Sequence, residues 1–467
     1  MKTLIVLSAV ALGVWSSARA QQENIPSKQL IQNIADSLFY GAKGYEKTKA
    51  FAGAEVGVCW HDSIYYFSYG YADKGNQVKT DTSTIFEIGS NTKIFTGLLL
   101  AHEMNTDAIN AETKIDEYLP VNKEIANKVR ILDLATFTSG LPNLHDSAAM
   151  AELNQVDSVQ PLAHVDNNYL LSLLGKTTVL NRYGQYEYSN YSYSLLGYLL
   201  SKLSCKSYDN LLNNRVLKPL HLKNTTTTLD TDDSRLARGY DGSDLAPYMQ
   251  LTGMAPAGIL KSNVTDMMQF VQYQLGKSST ISEDINLSQE KFYTNDSLGL
   301  SVGLGWHIAN RYNDDVYIMR GDTYGFSSLM AFDRNEKIGI VILGNTVNPE
   351  EMERSFSRIF RKIKESAPEY KRKIEQPTVK LNDDVLNRYV GTYDIAPDFE
   401  VNVSVDSGEM YLQCTNQPKG LIEPINETTF IAKKYGAEFE FVKGNAVAYN
   451  QVILRQNGQV IKGIRKP

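Results

Sequence analysis

The chain has 467 residues, with 47 Lys and Arg against 53 Asp and Glu, for a formal net charge of −6. That length suits two or three domains, and a hydrophobic content of 42% supplies a large core. No basic stripe is present, so nucleic acid is excluded as an expected partner. The three cysteines, Cys59, Cys205 and Cys414, leave one necessarily unpaired, so no disulfide framework holds the fold. Cys59 lies in an apolar strand-like run and reads as core. No Cys or His has metal-ligand spacing with another, and the six histidines form no H-E-x-x-H. A metal hydrolase is therefore disfavoured, and neither a cofactor nor a metal is expected.

Residues 1–20 read as a secretory signal peptide. Lys2 gives a charged start, Leu4 to Val14 is a short apolar run, and Ala18-Arg19-Ala20 is a small-x-small cleavage site. Cleavage after Ala20 would remove Lys2 and Arg19 and take the charge from −6 to −8. The expected product is exported, to the periplasm or the extracellular space. The apolar run is too short to span a bilayer and no later stretch is long enough, so no membrane span is expected. No Cys follows the run to carry a lipid.

Leu30, Ile31, Ile34 and Leu38 recur at helical spacing. Strands are predicted over Ala54–Trp60 and Ile64–Tyr69, with His61-Asp62-Ser63 as the turn. Within Phe86–Phe95 a buried strand gives way to a helix that begins at Ser90 and turns Ile94, Phe95, Leu98 and Leu99 inward. The middle is helical and loop-rich, with one helix marked by Leu195, Leu196, Leu199, Leu200 and Leu203 and another over Asp209 to Leu217. Strands return at Tyr317-Ile318-Met319, and Ser327–Phe332 with Ile338–Leu343 form a hairpin around Asp333-Arg334-Asn335-Glu336. Met352, Phe356, Ile359, Phe360 and Ile363 mark a long amphipathic helix. Strands thus come from both ends of a mostly helical region. The predicted class is α/β of the α+β type: an antiparallel sheet covered by helices, with a helical lobe.

A linker is expected over residues 366–380, from Ser366-Ala367-Pro368 through a charged stretch to Gln376-Pro377. Beyond it Phe399, Val401, Val403 and Val405 alternate with polar residues, as in a half-buried strand. Turns at Asp406-Ser407-Gly408 and Asn457-Gly458, with strands over Glu438–Phe441 and Asn450–Arg455, continue the theme. The expected layout is a signal peptide over 1–20, a main domain over 21–365, the linker, and an all-β barrel-like domain over 381–467.

Chemistry concentrates first at Ser90-Asn91-Thr92-Lys93. A serine and a lysine three residues apart share a helical face, so hydroxyl and amine can meet. The start of a helix also favours developing negative charge. The pair can turn a poor nucleophile into a good one. The second constellation is Tyr188-Ser189-Asn190, just before the Leu195 helix. A phenol can shuttle a proton when nearby cations lower its pKa. Asn190 can donate its amide to a substrate carbonyl and accept from an ammonium such as Lys93. Asn190-Tyr191-Ser192 is also a glycosylation sequon, and a glycan there would block the site, which favours a bacterial chain.

Ser90-x-x-Lys93 followed by Tyr188-x-Asn190 resembles the serine β-lactamase and penicillin-binding-protein superfamily, in its class C branch. Leu134–Pro142, Ala257–Ser262, Thr323–Ser328 and Ile340–Asn345 resemble further segments of that family, and the likeness covers roughly residues 27 to 365. The tail resembles the small β-barrel appended to such hydrolases. The resemblance implies that Ser90 forms an acyl-enzyme, that Lys93 and Tyr188 share the proton work, and that Asn190 orients the substrate amide. It implies an oxyanion site made by the backbone N–H groups of Ser90 and of Asp322, which follows Gly321. The family has Lys or His, one residue, then Gly at its third motif. Met319-Arg320-Gly321 departs from this. A thioether can neither lower the phenol's pKa nor attract a carboxylate, and Arg320 can replace the cation only if a bulge re-aims it. The expected activity is that of a monomeric serine hydrolase on an amide or ester: a β-lactam, a D-amino-acid peptide or an ester, of small-molecule or peptidoglycan origin. The rival is a catalytically silent penicillin-binding-like protein that recognises peptidoglycan fragments.

Overall fold

The computed structural model describes residues 28–39, 51–61, 63–119, 122–144, 148–228, 230–296, 299–311, 314–366, 378–396, 399–415, 418–433, 437–443, 449–456 and 459–466. The expected signal peptide, Asp62 of the first turn, the Asn457-Gly458 turn and most of the expected linker lie outside them. Ser27–Ala309 with Asp315–Phe360 form one compact unit, and Asn310–Asp314 with Arg361–Pro467 form another.

In chain order the strands before residue 345 are β1 (Gly53–Trp60), β2 (Ser63–Asp73), β3 (Val78–Lys79), β4 (Ile85–Glu87), β5 (Tyr240–Asp241), β6 (Asp244–Leu245), β7 (Lys261–Asn263), β8 (Tyr293–Asn295), β9 (Leu300–Val302), β10 (His307–Arg311), β11 (Asp314–Asp322), β12 (Ser327–Asp333) and β13 (Ile338–Gly344). The helices used below are α1 (Lys28–Phe39), α2 (Thr92–Asn105), α3 (Asn190–Ser204), α4 (Val264–Gln274), α5 (Ser282–Ser288) and α6 (Pro349–Ser366). Nine strands make the main sheet in the order β3-β2-β1-β13-β12-β11-β10-β9-β8. The N-terminal strands therefore join the late hairpin directly. β1 pairs antiparallel with β13, Val58 facing Ile340, and β12 pairs antiparallel with β13.

The apolar runs of β12 and β13 are buried at every residue, as continuous hydrophobic strands should be. α4 lies against this sheet so closely that a Cβ on Gly57 would stand 2.4 Å from Met268 Cγ. α2 is buried on nearly all its faces, the condition of a helix at the centre of a fold rather than on its surface. Phe95 stacks on Phe270 of α4, with ring centroids 4.4 Å apart, and Thr96 Oγ1 donates to Pro256 O.

Some boundaries differ from expectation. Gly89–Asn91 form a 3-10 turn, and the α-helix starts at Thr92. Ser90 therefore sits in the tight turn ahead of the helix. The helix expected over Asp209 to Leu217 is an α-turn, Tyr208–Leu212, running into a π-turn, Asn213–Leu217. β8, β9 and β10 escape a reading by periodicity because they are short and partly exposed.

The second unit holds β14 (Gly391–Ala396), β15 (Phe399–Asp406), β16 (Glu409–Cys414), β17 (Gly420–Pro424), β18 (Thr429–Ala432), β19 (Ala437–Lys443), β20 (Tyr449–Gln456) and β21 (Gln459–Arg465), closed into one barrel. Val401 and Val403 point into its core beside Tyr393, Phe430 and Phe441, while Asn402 between them faces out. Closure leaves no free sheet edge. Among the described residues no helix is long and apolar enough to cross a membrane.

Glu55 on β1 is fully buried. Ser68 Oγ donates to its Oε2 at 3.0 Å, and its Oε1 has no hydrogen-bond partner among the described residues. Burial raises its pKa to about 7. The folded pKa lies above the unfolded value, so the charged form penalises the fold. The penalty is absent below the unfolded pKa, grows as pH rises, and is complete above about 7. Glu55→Gln should therefore stabilise the protein by roughly 3 kcal/mol at pH 8 and be neutral near pH 4.5. Denaturant unfolding at the two pH values checks this, and equal effects at both would contradict it.

Candidate active site

Three elements converge on one amine. Lys93, in the first turn of α2, is wholly buried. Its Nζ lies 2.9 Å from Ser90 Oγ, 2.6 Å from Asn190 Oδ1 and 2.7 Å from Ala257 O. Asn190 opens α3, where Ser189 is the N-cap and accepts from Ser192 N. Ala257 belongs to the short segment before β7. That segment is tied down on both sides of Ala257: Thr96 Oγ1 donates to Pro256 O, Leu260 N donates to Thr92 Oγ1, and Ile88 N donates to Leu260 O. Burial alone drives the pKa of Lys93 well below the ordinary lysine value. A neutral amine has two N–H groups and a lone pair. Asn190 Oδ1 and Ala257 O take the two hydrogens, which leaves the lone pair for the hydroxyl of Ser90.

Tyr188 approaches from the other side, and its Oη donates to Ser90 Oγ at 2.7 Å. Its ring lies 4.9 Å from Lys93 Nζ. Burial raises its pKa, and the bond to Ser90 offsets part of that rise. At neutral pH it is a phenol that can give a proton. The loop expected to matter at Leu134–Pro142 backs this group. Phe137 adopts a left-handed φ of 60°, rare for a bulky residue and characteristic of functional sites. Its ring packs 4.9 Å from that of Tyr188.

The third edge is β11. Its register with β12 runs unbroken from Val316 to Asp322, so no bulge re-aims Arg320. Met319 and Gly321 share one face, and both are buried. Arg320 points to the other face with its side chain 45% exposed, and its Nε donates to Asp322 Oδ2 at 3.1 Å. Gly321 abuts the nucleophile's turn: a Cβ there would stand 2.1 Å from Ile88 O and 2.7 Å from Ser90 N. Gly89, at a φ of 48°, does the same from its side, since its Cβ would meet Asp322 N at 2.9 Å. Two glycines thus let the backbone at Ser90 lie against the backbone at Asp322. Ser328 Oγ, within reach of Ile88 O at 2.8 Å and accepting from Asn91 Nδ2 at 2.7 Å, binds β12 to the same turn.

The eight residues singled out by sequence therefore fall into one region of a single unit, with Met319 buried in the core behind it. Sequence reasoning missed three participants. Ala257 contributes a backbone carbonyl, which carries no residue signature. Tyr186 was one tyrosine among many. His307 was one of six scattered histidines, yet its Nε2 lies 2.9 Å from Tyr186 Oη. Its pKa is lowered to about 4, by burial first, with the basic side chains nearby adding to it.

An antiparallel sheet carrying a buried Ser-x-x-Lys turn beside a Tyr-x-Asn loop defines a member of the serine β-lactamase and penicillin-binding-protein superfamily. The beta-lactamase family model matches residues 29–361, and the chain belongs to that family. Protein flp of Staphylococcus aureus is 26% identical over 294 residues, which cover 59% of this chain and 56% of flp. The chain thus spans little more than half the length of that relative. A beta-lactamase of Yersinia enterocolitica is 26% identical over 396 residues, covering 75% of this chain and 94% of that enzyme.

Gly321→Ala should push β11 away from Ser90. We expect labelling of Ser90 by an activated phosphonate to slow by roughly 10²- to 10³-fold, the scale of losing one oxyanion donor. Intact-mass kinetics measure this, and a wild-type rate in a folded variant would detach β11 from the reacting centre.

Proposed function

We propose that the protein is an exported serine hydrolase of the class C branch that works through an acyl-enzyme on Ser90. One observation carries the reading: Lys93 Nζ and Tyr188 Oη both lie within hydrogen-bond distance of the same oxygen, Ser90 Oγ. In this reading Lys93 takes the proton of Ser90 as Oγ attacks the substrate carbonyl. The N–H groups of Ser90 and Asp322 hold the oxyanion, with Gly321 keeping them close. The C–N or C–O bond breaks, and Tyr188 gives its proton to the leaving group. The Lys93 ammonium restores that proton, and water then hydrolyses the acyl-enzyme. Asn190 holds Lys93 and orients the substrate amide.

The substrate proposed is a β-lactam, a D-amino-acid peptide or an ester, with compounds lacking a free carboxylate favoured. Buried Met319 brings no charge to the position where the family has a cation, and the guanidinium of Arg320, on the opposite face of β11, is engaged by Asp322. Residues 1–20 are proposed as the signal peptide, 21–365 as the hydrolase domain, 366–380 as the linker and 381–467 as an added β domain. The same Met319 favours the second reading, a protein that binds peptidoglycan fragments without turning them over.

Incubation with a labelled penicillin and, separately, with an activated phosphonate ester tests the two readings. A mass increase that disappears in Ser90→Ala is expected from at least one probe. No adduct with either would favour the binding protein. Met319→Lys should raise turnover of a chromogenic cephalosporin, and an unchanged or lower rate would remove this account of position 319.

A further inference from the structure

Tyr188 must be aimed at Ser90 by something other than its own hydroxyl, which is spent on Ser90 Oγ. Residue 319, beneath the site, is apolar and offers its phenol no polar partner. Two further rings pack against it instead. Phe137 lies 4.9 Å away and His307 6.2 Å away, centroid to centroid. His307 is in turn 5.8 Å from Phe137 and stands edge-on to Tyr186 at 5.8 Å. The Tyr186 hydroxyl and His307 Nε2 close this collar with a 2.9 Å hydrogen bond.

The backbone of the same segment is pinned along its length. Tyr186 N donates to Tyr293 Oη at 3.3 Å, Glu187 N donates to Phe137 O at 2.8 Å, and Asn143 Nδ2 donates to Tyr188 O at 3.2 Å. The rings of Tyr186 and Tyr188 both pack on Phe137 and His307, so they lie on the same side of this irregular segment. His307, held by the Tyr186 hydroxyl, therefore forms part of the surface against which the Tyr188 ring packs.

We propose that the hydrogen-bonded pair Tyr186–His307 is a positioning device for Tyr188, holding its phenol over Ser90 as an uncharged proton donor. The proposal rests on the Ser90 hydrolase reading for its catalytic meaning. Neither partner touches the reacting atoms. Burial keeps Tyr186 protonated, with its pKa raised to about 12, and keeps His307 neutral above about pH 4. The collar therefore adds no charge near Tyr188. The charged or titratable groups near Tyr188 and its collar are Lys93, Tyr193, Tyr293, Arg320 and Asp322.

Tyr186→Phe removes one hydroxyl and little else, so it is the decisive variant. With an activated ester that labels Ser90, kcat should fall roughly tenfold while KM stays within about twofold. The alkaline limb of the pH–rate profile should move, because the environment of Tyr188 changes. His307→Gln, whose amide can still bond Tyr186, should keep more activity than His307→Leu. A readout independent of turnover is the ring resonance of Tyr188 in protein carrying 13C-tyrosine, assigned with Tyr188→Phe. That resonance should shift in Tyr186→Phe and in His307→Leu. Wild-type kcat, pH profile and Tyr188 resonance in Tyr186→Phe would overturn the proposal, whether or not His307→Leu folds. Failure of the wild-type protein to label at all would instead sink the hydrolase reading, and the resonance would still decide the positioning role.

Discussion

The fold is organised around an amine that has been taken out of water. A lone ammonium in a protein interior is costly unless it is paired. Among the described residues no carboxylate lies within ion-pair distance of Lys93. The interior answers with dipoles in place of a charge. The carboxamide of Asn190 and the carbonyl of Ala257 accept from Nζ, and Ser90 completes the set. This constraint fixes the relative places of α2, α3 and the segment before β7. α2 supplies the amine and the other two supply one acceptor each, so none can move without leaving a group unsatisfied. It also sets the chemistry, because burial that favours the neutral amine leaves a lone pair aimed at the serine.

The sheet contributes proximity. Gly89 and Gly321 remove the two side-chain carbons that would hold β11 off the nucleophile's turn, and Ser328 ties β12 to that turn from behind. Antiparallel pairing carries the order outward, through β12 and β13 to β1 and β2. Gly89, with its left-handed φ, opens the 3-10 turn Gly89–Asn91 that precedes α2. Ser90 thereby keeps its backbone N–H on the side of Asp322.

How much of this was legible in the sequence depended on where the information lay. α1, α2, α3 and α6, with β1, β2, β12 and β13, carried apolar periods long enough to read, and the alternation through Val401, Val403 and Val405 announced a strand of the barrel. The meeting of Ser90 with Lys93 follows from their spacing, because three residues is nearly one helical turn. The approach of Tyr188 and Asn190 does not follow from any spacing, since about a hundred residues of chain intervene. Resemblance to a family brought them in. Ala257 was beyond reach because its contribution is a backbone oxygen. His307 was beyond reach for another reason: it opens a five-residue strand whose neighbours β8 and β9 are shorter still, and a lone histidine has no pattern. Arg320 could be judged only conditionally until the β11–β12 register was known to run without a bulge.

Taken together, the uncharged neighbours of Tyr188 separate this site from one that polarises its phenol with a cation. Met319 is apolar, and burial keeps both Tyr186 and His307 neutral at physiological pH. Arg320 is close enough for its charge to act on Tyr188 and His307, but its guanidinium is hydrogen-bonded to Asp322. A phenol in such surroundings holds its proton tightly and gives it up only when a stronger base appears beside it. On the proposed reading that base is the leaving group itself, at the moment its bond to the acyl carbon breaks. The design then suits leaving groups that become strongly basic as they depart, such as amide nitrogens and alkoxides. Rate would be limited by delivering a proton rather than by binding a substrate carboxylate.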